Sequence, residues 1–213
     1  MSLKNILYIN LEKRPDRKLH VEKQLASIDL QGTRFNACEM ENGAIGCSIS
    51  HLKCLEMAKQ NDWNQVMIVE DDITFLDPPL LKHKLYTFLD RHQDWDVLLL
   101  GGNNISPYKV IDDCCIKVSH CQTTTGYIVK KHYYNKLIDN IKMGLNYLLR
   151  EPTKHFYYAI DKYWLALQKT DNWYLLVPLS VIQQPGYSDI EKRDTNYVKM
   201  LTSVNKRPLY PSP

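Results

Sequence analysis

Three consecutive carboxylates, Glu70-Asp71-Asp72, follow directly on the apolar run Val66-Met67-Ile68-Val69. Like charges at van der Waals range repel and resist desolvation, so packing alone does not select this ending for a buried strand. A hard divalent cation relieves the conflict, because Mg²⁺ or Mn²⁺ takes one or two protein carboxylates and completes its shell with water and phosphate oxygens. A solvated acidic turn capping the next segment is the other reading of the same triplet. Arg14 and Arg17 stand three residues apart at the start of a predicted helix, a spacing that can aim two guanidinium groups at a phosphate or leave both solvated. Ser50 and His51 fall on the first turn of a helix predicted to be capped by Ser48, where free N–H groups and the dipole favour an anion. A lone histidine there serves equally as a structural hydrogen-bonding residue. Asp161, in the first turn of a helix predicted over 159–168, is a carboxylate separate from the triplet.

The elements that must position these groups alternate. Asn5 to Asn10 reads as an apolar strand, and the polar turn after it leads into a helix whose first turn suits Pro15, with its fixed φ and missing N–H. A second short strand is expected within 31–38. The acidic triplet then ends a strand, the place where open α/β sheets collect their ligands. Asp77-Pro78-Pro79 starts a helix with Leu81, Leu85, Phe88 and Leu89 on its apolar face. Trp95 to Leu100 is a strand running into the pair Gly101-Gly102, and Ile116 begins a strand expected to continue toward Val129. A helix over 132–141, the helix at Asp161 and one or two strands over 173–182 complete the pattern. The predicted class is α/β, a single domain over 1–195 with a polar, proline-containing tail over 196–213.

Composition narrows the function. At 213 residues, with 44% hydrophobic and 24% charged residues, the chain is an ordinary globular sequence. A net charge of +3 is too small to argue for nucleic acid, although the lysines suit an anionic substrate or a peripheral membrane contact. No apolar run reaches about 18 residues and no signal-peptide core is present, so a soluble cytoplasmic protein is expected. The six cysteines show neither a CxxC pair nor zinc spacing and read as reduced thiols. Together, an arginine pair, an acidic cluster and a separate carboxylate suit an inverting sugar transfer: cations neutralise a departing diphosphate and a base takes the acceptor proton.

The motifs Ile9-Asn10-Leu11 with Arg14-Pro15-Asp16-Arg17, Gly46-Cys47-Ser48-Ile49-Ser50-His51 and Val69-Glu70-Asp71-Asp72 occur in an order that resembles glycosyltransferase family 25. That family holds bacterial lipooligosaccharide galactosyltransferases and the collagen galactosyltransferases. Trp95-Asp96 with Leu100-Gly101, Thr124 with Gly126-Tyr127, Asp161 and Ser188-Asp189-Ile190 extend the resemblance from residue 5 to about 190. It implies a GT-A fold, a Rossmann-like mixed sheet flanked by helices, binding a UDP-sugar with Mn²⁺ or Mg²⁺. It implies Asp72 as metal ligand, and Glu70 toward the ribose or a metal-bound water, with Asp71 beside them. Asn10, Leu11, Arg14, Arg17, Ser50 and His51 then line the nucleotide side, Ser188 and Asp189 close the donor site, and Asp161 is the acceptor-activating base. Thr124, Gly126, Tyr127, Trp164 and Tyr187 are assigned to the acceptor side, where aromatic rings either stack on a sugar or pack in the core. One feature departs from many GT-A enzymes, which offer a C-terminal histidine to the metal. No histidine follows His155, leaving Gln183, Gln184, Ser188 or water.

The expected activity is transfer of galactose or glucose from a UDP-sugar to a hydroxyl of a glycan, lipooligosaccharide or protein. Two other classes fit the same residues: a non-catalytic nucleotide-sugar or glycan-binding module, and a Mg²⁺-dependent phosphotransferase. The second of these lacks a glycine-rich P-loop and would need Asp71 or Asp72 as nucleophile.

Overall fold

The computed structural model describes residues 3–188, 191–204 and 206. In chain order the first half contains β1 (Ile6–Asn10), α1 (Pro15–Ala26), β2 (Thr33–Asn36), α2 (Gly43–Gln60), β3 (Gln65–Glu70), β4 (Ile73–Phe75), α3 (Pro78–Arg91) and β5 (Val97–Leu99). Four strands follow, β6 (Asn103–Asn104), β7 (Tyr108–Val110), β8 (Cys115–Val118) and β9 (Cys121–Gln122), then β10 (Gly126–Lys130) and the long helix α4 (Tyr134–Arg150). Three single-turn helices come next, α5 (His155–Tyr158), α6 (Ile160–Tyr163) and α7 (Leu165–Gln168). The chain closes with β11 (Trp173–Leu176), β12 (Val181–Gln183), β13 (Gly186–Ser188), β14 (Arg193–Thr195) and α8 (Val198–Leu201), whose Leu201 is buried.

Eight strands form one mixed sheet in the order β2-β1-β3-β10-β5-β11-β8-β7. β1 runs parallel to both β2 and β3, whereas β10 is inserted antiparallel between β3 and β5. The alternation of strand side chains explains two separate cores. Leu7, Ile9, Val66 and Ile68 point to the layer containing Leu52, Leu55 and Leu137 of α2 and α4. Ile6, Tyr8, Met67 and Val69 point to the other, against Val21 and Leu25 of α1 and Leu81, Leu85 and Phe88 of α3. The expected Rossmann-like mixed sheet flanked by helices is the architecture found.

Three local expectations change. The helix expected over 159–168 is divided into α6 and α7 at Trp164, and its first turn follows an extended residue, Ala159 (φ −56°, ψ 150°). The strand expected to run on from Ile116 is broken into β8, β9 and β10, with Thr123 at φ +79° between the last two. α2 begins at Gly43, capped by the side chain of Asn42, which accepts from the N–H groups of Ala44 and Ile45. Ser48 instead donates to the carbonyl of Ala44 one turn back. Ser50 and His51 therefore lie mid-helix, beyond reach of the free N–H groups of the first turn.

Candidate active site

β1 and β3 are adjacent and parallel, with Ile9 in register with Glu70, so their carboxyl ends open side by side. The residues that follow these strands meet there. Asn10 is buried and donates from Nδ2 to the Arg14 carbonyl at 3.0 Å and to Oδ2 of Asp71 at 2.7 Å. Its own Oδ1 accepts from Nε of Arg34 at 2.9 Å. Asn10 thus fixes the turn into α1 and the turn after β3 with one side chain.

The three carboxylates have unlike surroundings. Glu70 accepts on Oε1 from the Thr124 hydroxyl at 2.6 Å, from Nε2 of His51 at 3.3 Å and from the Cys47 thiol at 3.7 Å. Its Oε2 accepts from Gln183 at 3.3 Å. Burial raises the proton affinity of Glu70, but the hydrogen bond and charge offered by His51 outweigh it and hold the carboxyl below its ordinary value. Asp71 is bound by Asn10 and, at 3.1 Å, by Nη1 of Arg17, yet burial still raises it. Asp72 is the exception. Its main-chain carbonyl accepts from the Gln184 N–H at 2.7 Å, but its Oδ1 is buried without a hydrogen-bond partner among the described residues. Burial, and then the charge of Glu70, push the Asp72 carboxyl up to about 8.

An unpartnered buried carboxylate oxygen with two more carboxylates beside it is a donor set that suits a hard divalent cation. Asp72 supplies the open oxygen, and Oε2 of Glu70 retains acceptor capacity beyond the Gln183 bond. Cys47, His51 and Glu70 also bring donor atoms within 4.8 Å of one another, so a softer ion has ligands on the same wall.

A cleft of about 420 Å³ opens over this floor, a size within the usual range for small-molecule sites. Leu11, Arg17, Ser50, His51, Glu70, Asp71, Asp72 and Ser188, expected around the donor, line it together with Tyr187, expected on the acceptor side. Arg17 spans the mouth, bonding Asp71 on one side and the Tyr187 carbonyl at 2.8 Å on the other. Arg14 is not among the described residues that line the cleft. Its guanidinium pairs with Asp16, at 2.9 Å from Nη2. Ser50 is committed within the protein, donating to the Gly46 carbonyl and accepting from the Cys38 N–H. Asp189 lies outside the described residues.

Part of the wall was not anticipated: Lys13, the loop segment Cys38 to Glu41 and Lys192 also line the cleft, beside Gln183, which was expected only as a substitute metal ligand. Gly46 carried a signal for this loop. A Cβ there would stand 2.4 Å from the Cys38 carbonyl oxygen, so only glycine lets α2 pass the loop so closely.

The residues assigned to the acceptor side separate. Tyr187 is half exposed beside the cleft. Tyr127 and Trp164 are fully buried, with rings 5.6 Å apart in an edge-on contact, and Nδ1 of His51 is hydrogen-bonded to the Tyr127 hydroxyl at 2.9 Å. A ring without exposed surface has no face to offer a sugar, so these two act as packing and as support for His51. Gly126 is required by contact: a Cβ would lie 2.7 Å from Cδ1 of Ile73. Thr124 holds Glu70. Asp161 is not on the cleft wall. Its Oδ2 accepts from the Thr123 N–H at 3.1 Å and sits 3.2 Å from Nζ of Lys162, one residue along from the threonine that holds Glu70.

Residues 39–149, just over half of the chain, match the family model described as glycosyltransferase family 25 (LPS biosynthesis protein). The chain belongs to glycosyltransferase family 25. A glycosyltransferase 25 family member of Anopheles gambiae is 25% identical, over 65% of this chain and 29% of that protein. Procollagen galactosyltransferase 2 of Homo sapiens is 21% identical, over 90% of this chain and 38% of that protein. The chain thus spans well under half the length of these relatives. Among solved structures, a glycosyltransferase involved in the glycosylation of the major capsid of PBCV-1 aligns with a TM-score of 0.49 and 12% identity, covering 92% of this chain and 88% of that one. Among the described residues of this family member, no helix is long and apolar enough to cross a membrane.

Proposed function

We propose that the chain transfers a hexose, galactose or glucose, from a UDP-sugar to a hydroxyl of a glycan, glycolipid or protein, with inversion and with a divalent cation. The observation that carries this reading is the open, buried oxygen of Asp72 at the floor of a cleft rimmed by Arg17. Asp72, with Glu70 beside it, would hold Mn²⁺ or Mg²⁺, which when bound neutralises charge on the departing diphosphate. Arg17 adds a fixed guanidinium at the same mouth, already oriented by Asp71 and the Tyr187 carbonyl. Leu11 offers an apolar surface to the nucleoside, and Ser188 and Lys192 line the same cleft. Asp161 serves as the base that takes the acceptor proton, held by the Thr123 N–H so that one oxygen stays available.

Calorimetric titration with UDP-galactose, UDP-glucose and UDP-N-acetylglucosamine, each with and without Mn²⁺, tests the reading. Metal-dependent binding of one hexose donor, followed by release of intact UDP on adding acceptor, is the expected result. Absence of binding by all three donors would reject it, and release of inorganic phosphate would favour phosphotransfer.

A further inference from the structure

Far from the cleft, four side chains that suit a borderline or soft metal converge: His92, Asp112, Cys114 and Cys115. One donor atom from each lies within 4.8 Å of all the others. They come from two separate pieces of chain, His92 at the carboxyl end of α3 and the other three at the turn from β7 into β8. In the sheet order β8 stands four strands from β3, roughly 19 Å at the usual strand spacing, so this cluster is distinct from the carboxylate floor.

Packing outside the cluster orients His92, and main-chain hydrogen bonds within the turn orient the other three. The His92 ring lies between Phe88, with centroids 4.8 Å apart, and Tyr174, stacked at 6.2 Å. The main-chain N–H of His92 closes the last turn of α3 onto the Phe88 carbonyl at 2.9 Å. That leaves Nε2 2.9 Å from Oδ2 of Asp112 and 3.7 Å from the Cys115 sulfur. Asp112 uses its other oxygen, Oδ1, to accept from the N–H groups of Cys114 at 2.8 Å and Cys115 at 3.1 Å, which sets the turn carrying both thiols. Both cysteines are fully buried. The charge balance also suits a cation. Two thiolates and a carboxylate around a divalent ion leave one negative charge. Arg91 lies 4.0 Å from Asp112, while Arg91 and Lys84 both bind the neighbouring Asp113 at 2.8 Å.

We propose that His92, Asp112, Cys114 and Cys115 form a zinc-type structural metal site that ties the end of α3 to the β7–β8 hairpin at the edge of the sheet. Two sulfurs, an imidazole nitrogen and a carboxylate oxygen are a four-donor set for Zn²⁺, and the sulfurs disfavour Mg²⁺ or Ca²⁺. On loading, each thiol gives one proton to solvent. The imidazole proton moves from Nε2 to Nδ1, leaving a lone pair for the metal.

Cobalt(II) is the probe. Added to the reduced full chain, one equivalent is expected to give a thiolate-to-cobalt charge-transfer band with the intense visible bands of a tetrahedral site, and Zn²⁺ is expected to bleach both. His92→Gln, at a partly exposed position, should weaken cobalt binding at least tenfold and abolish the rise in Tm that Zn²⁺ gives the parent protein. Cys115→Ser should lose most of the charge-transfer intensity, whereas Cys47→Ser, in the cleft, should leave it unchanged. The proposal is overturned by absence of the band while all thiols are reduced. It is equally overturned by a band that survives both His92→Gln and Cys115→Ser, or by one that disappears with Cys47→Ser.

Discussion

Asn10 and Asp71 are joined by a 2.7 Å hydrogen bond across 61 residues of sequence, tying the end of β1 to the turn after β3. The bond is buried and Asp71 has only Arg17 as its other named side-chain partner nearby. Asn10→Ala would strand one oxygen of Asp71 and deprive Nε of Arg34 of its acceptor. A loss of about 1–3 kcal/mol is expected from leaving such groups unsatisfied. Urea unfolding should show a lower midpoint with an unchanged slope, and an unchanged midpoint would mean that the bond contributes nothing.

Asp72 gives a pH prediction whose sign is fixed by its raised carboxyl. The folded chain holds that proton up to about pH 8, whereas an unfolded aspartate releases it near 3.9. The stability contributed by this group is therefore complete below about pH 4 and is lost as pH rises toward 8. Asp72→Asn removes the titration, so unfolding free energy between pH 5 and 8 should fall less steeply in the variant than in the parent. For the same reason Mn²⁺ must displace a proton, and its affinity should rise by up to tenfold per pH unit until about pH 8 and then level off. A Mn²⁺ affinity independent of pH over this range would remove Asp72 from the ligand set.

The sequence made β1 and β3 legible because they are short apolar runs with polar ends, a pattern set by burial on both faces. Much of the cleft wall was legible for a similar reason: Leu11, Glu70, Asp71 and Asp72 sit at or just past strand ends, and Arg17 lies in the first turn of the helix that follows β1. The side-chain pairings were not. Arg14 and Arg17 have the same chemistry and neighbouring positions, but only Arg17 is opposite Asp71 after folding. The early start of α2 was marked by Asn42 ahead of Gly43, a capping residue that the apolar pattern from Ile49 onward overshadowed. The antiparallel insertion of β10 between β3 and β5 depends on long-range pairing and leaves no local signature.

The aromatic residues divide into a structural and a surface set, and the two should respond oppositely to truncation. Trp164 is fully buried, edge-on to Tyr127 and 5.1 Å from Trp173, and its indole N–H donates to the Cys121 carbonyl. Trp164→Ala is expected to cost about 3–5 kcal/mol, a cavity of that size collapsing only in part. Tyr187 is half exposed beside the cleft, so Tyr187→Ala should stay within about 0.5 kcal/mol of the parent. Its effect should fall on substrate affinity. Thermal unfolding and calorimetric titration on both variants separate the two roles, and a strongly destabilised Tyr187→Ala would contradict the division.

Asp161 is the proposed base of the transfer step. Asparagine in its place keeps an oxygen able to accept the Thr123 N–H, so the segment that carries Thr124 to Glu70 should hold its position. What Asp161→Asn removes is the capacity to take a proton and the charge paired with Lys162. Loss of a general base lowers turnover by about 10²–10⁴-fold while donor binding, made on the other side of that segment, should change less than about twofold. Lys162→Met deletes the ion pair and leaves the carboxylate, so it should retain most of the turnover and show that the pairing is not the cause. Donor affinity from calorimetry and turnover from UDP release, measured on both variants, decide the assignment. Asp161→Asn turning over at the parental rate would transfer the role of base to another group, whereas parallel loss of donor binding and turnover would make Asp161 a support for the Thr123–Thr125 segment.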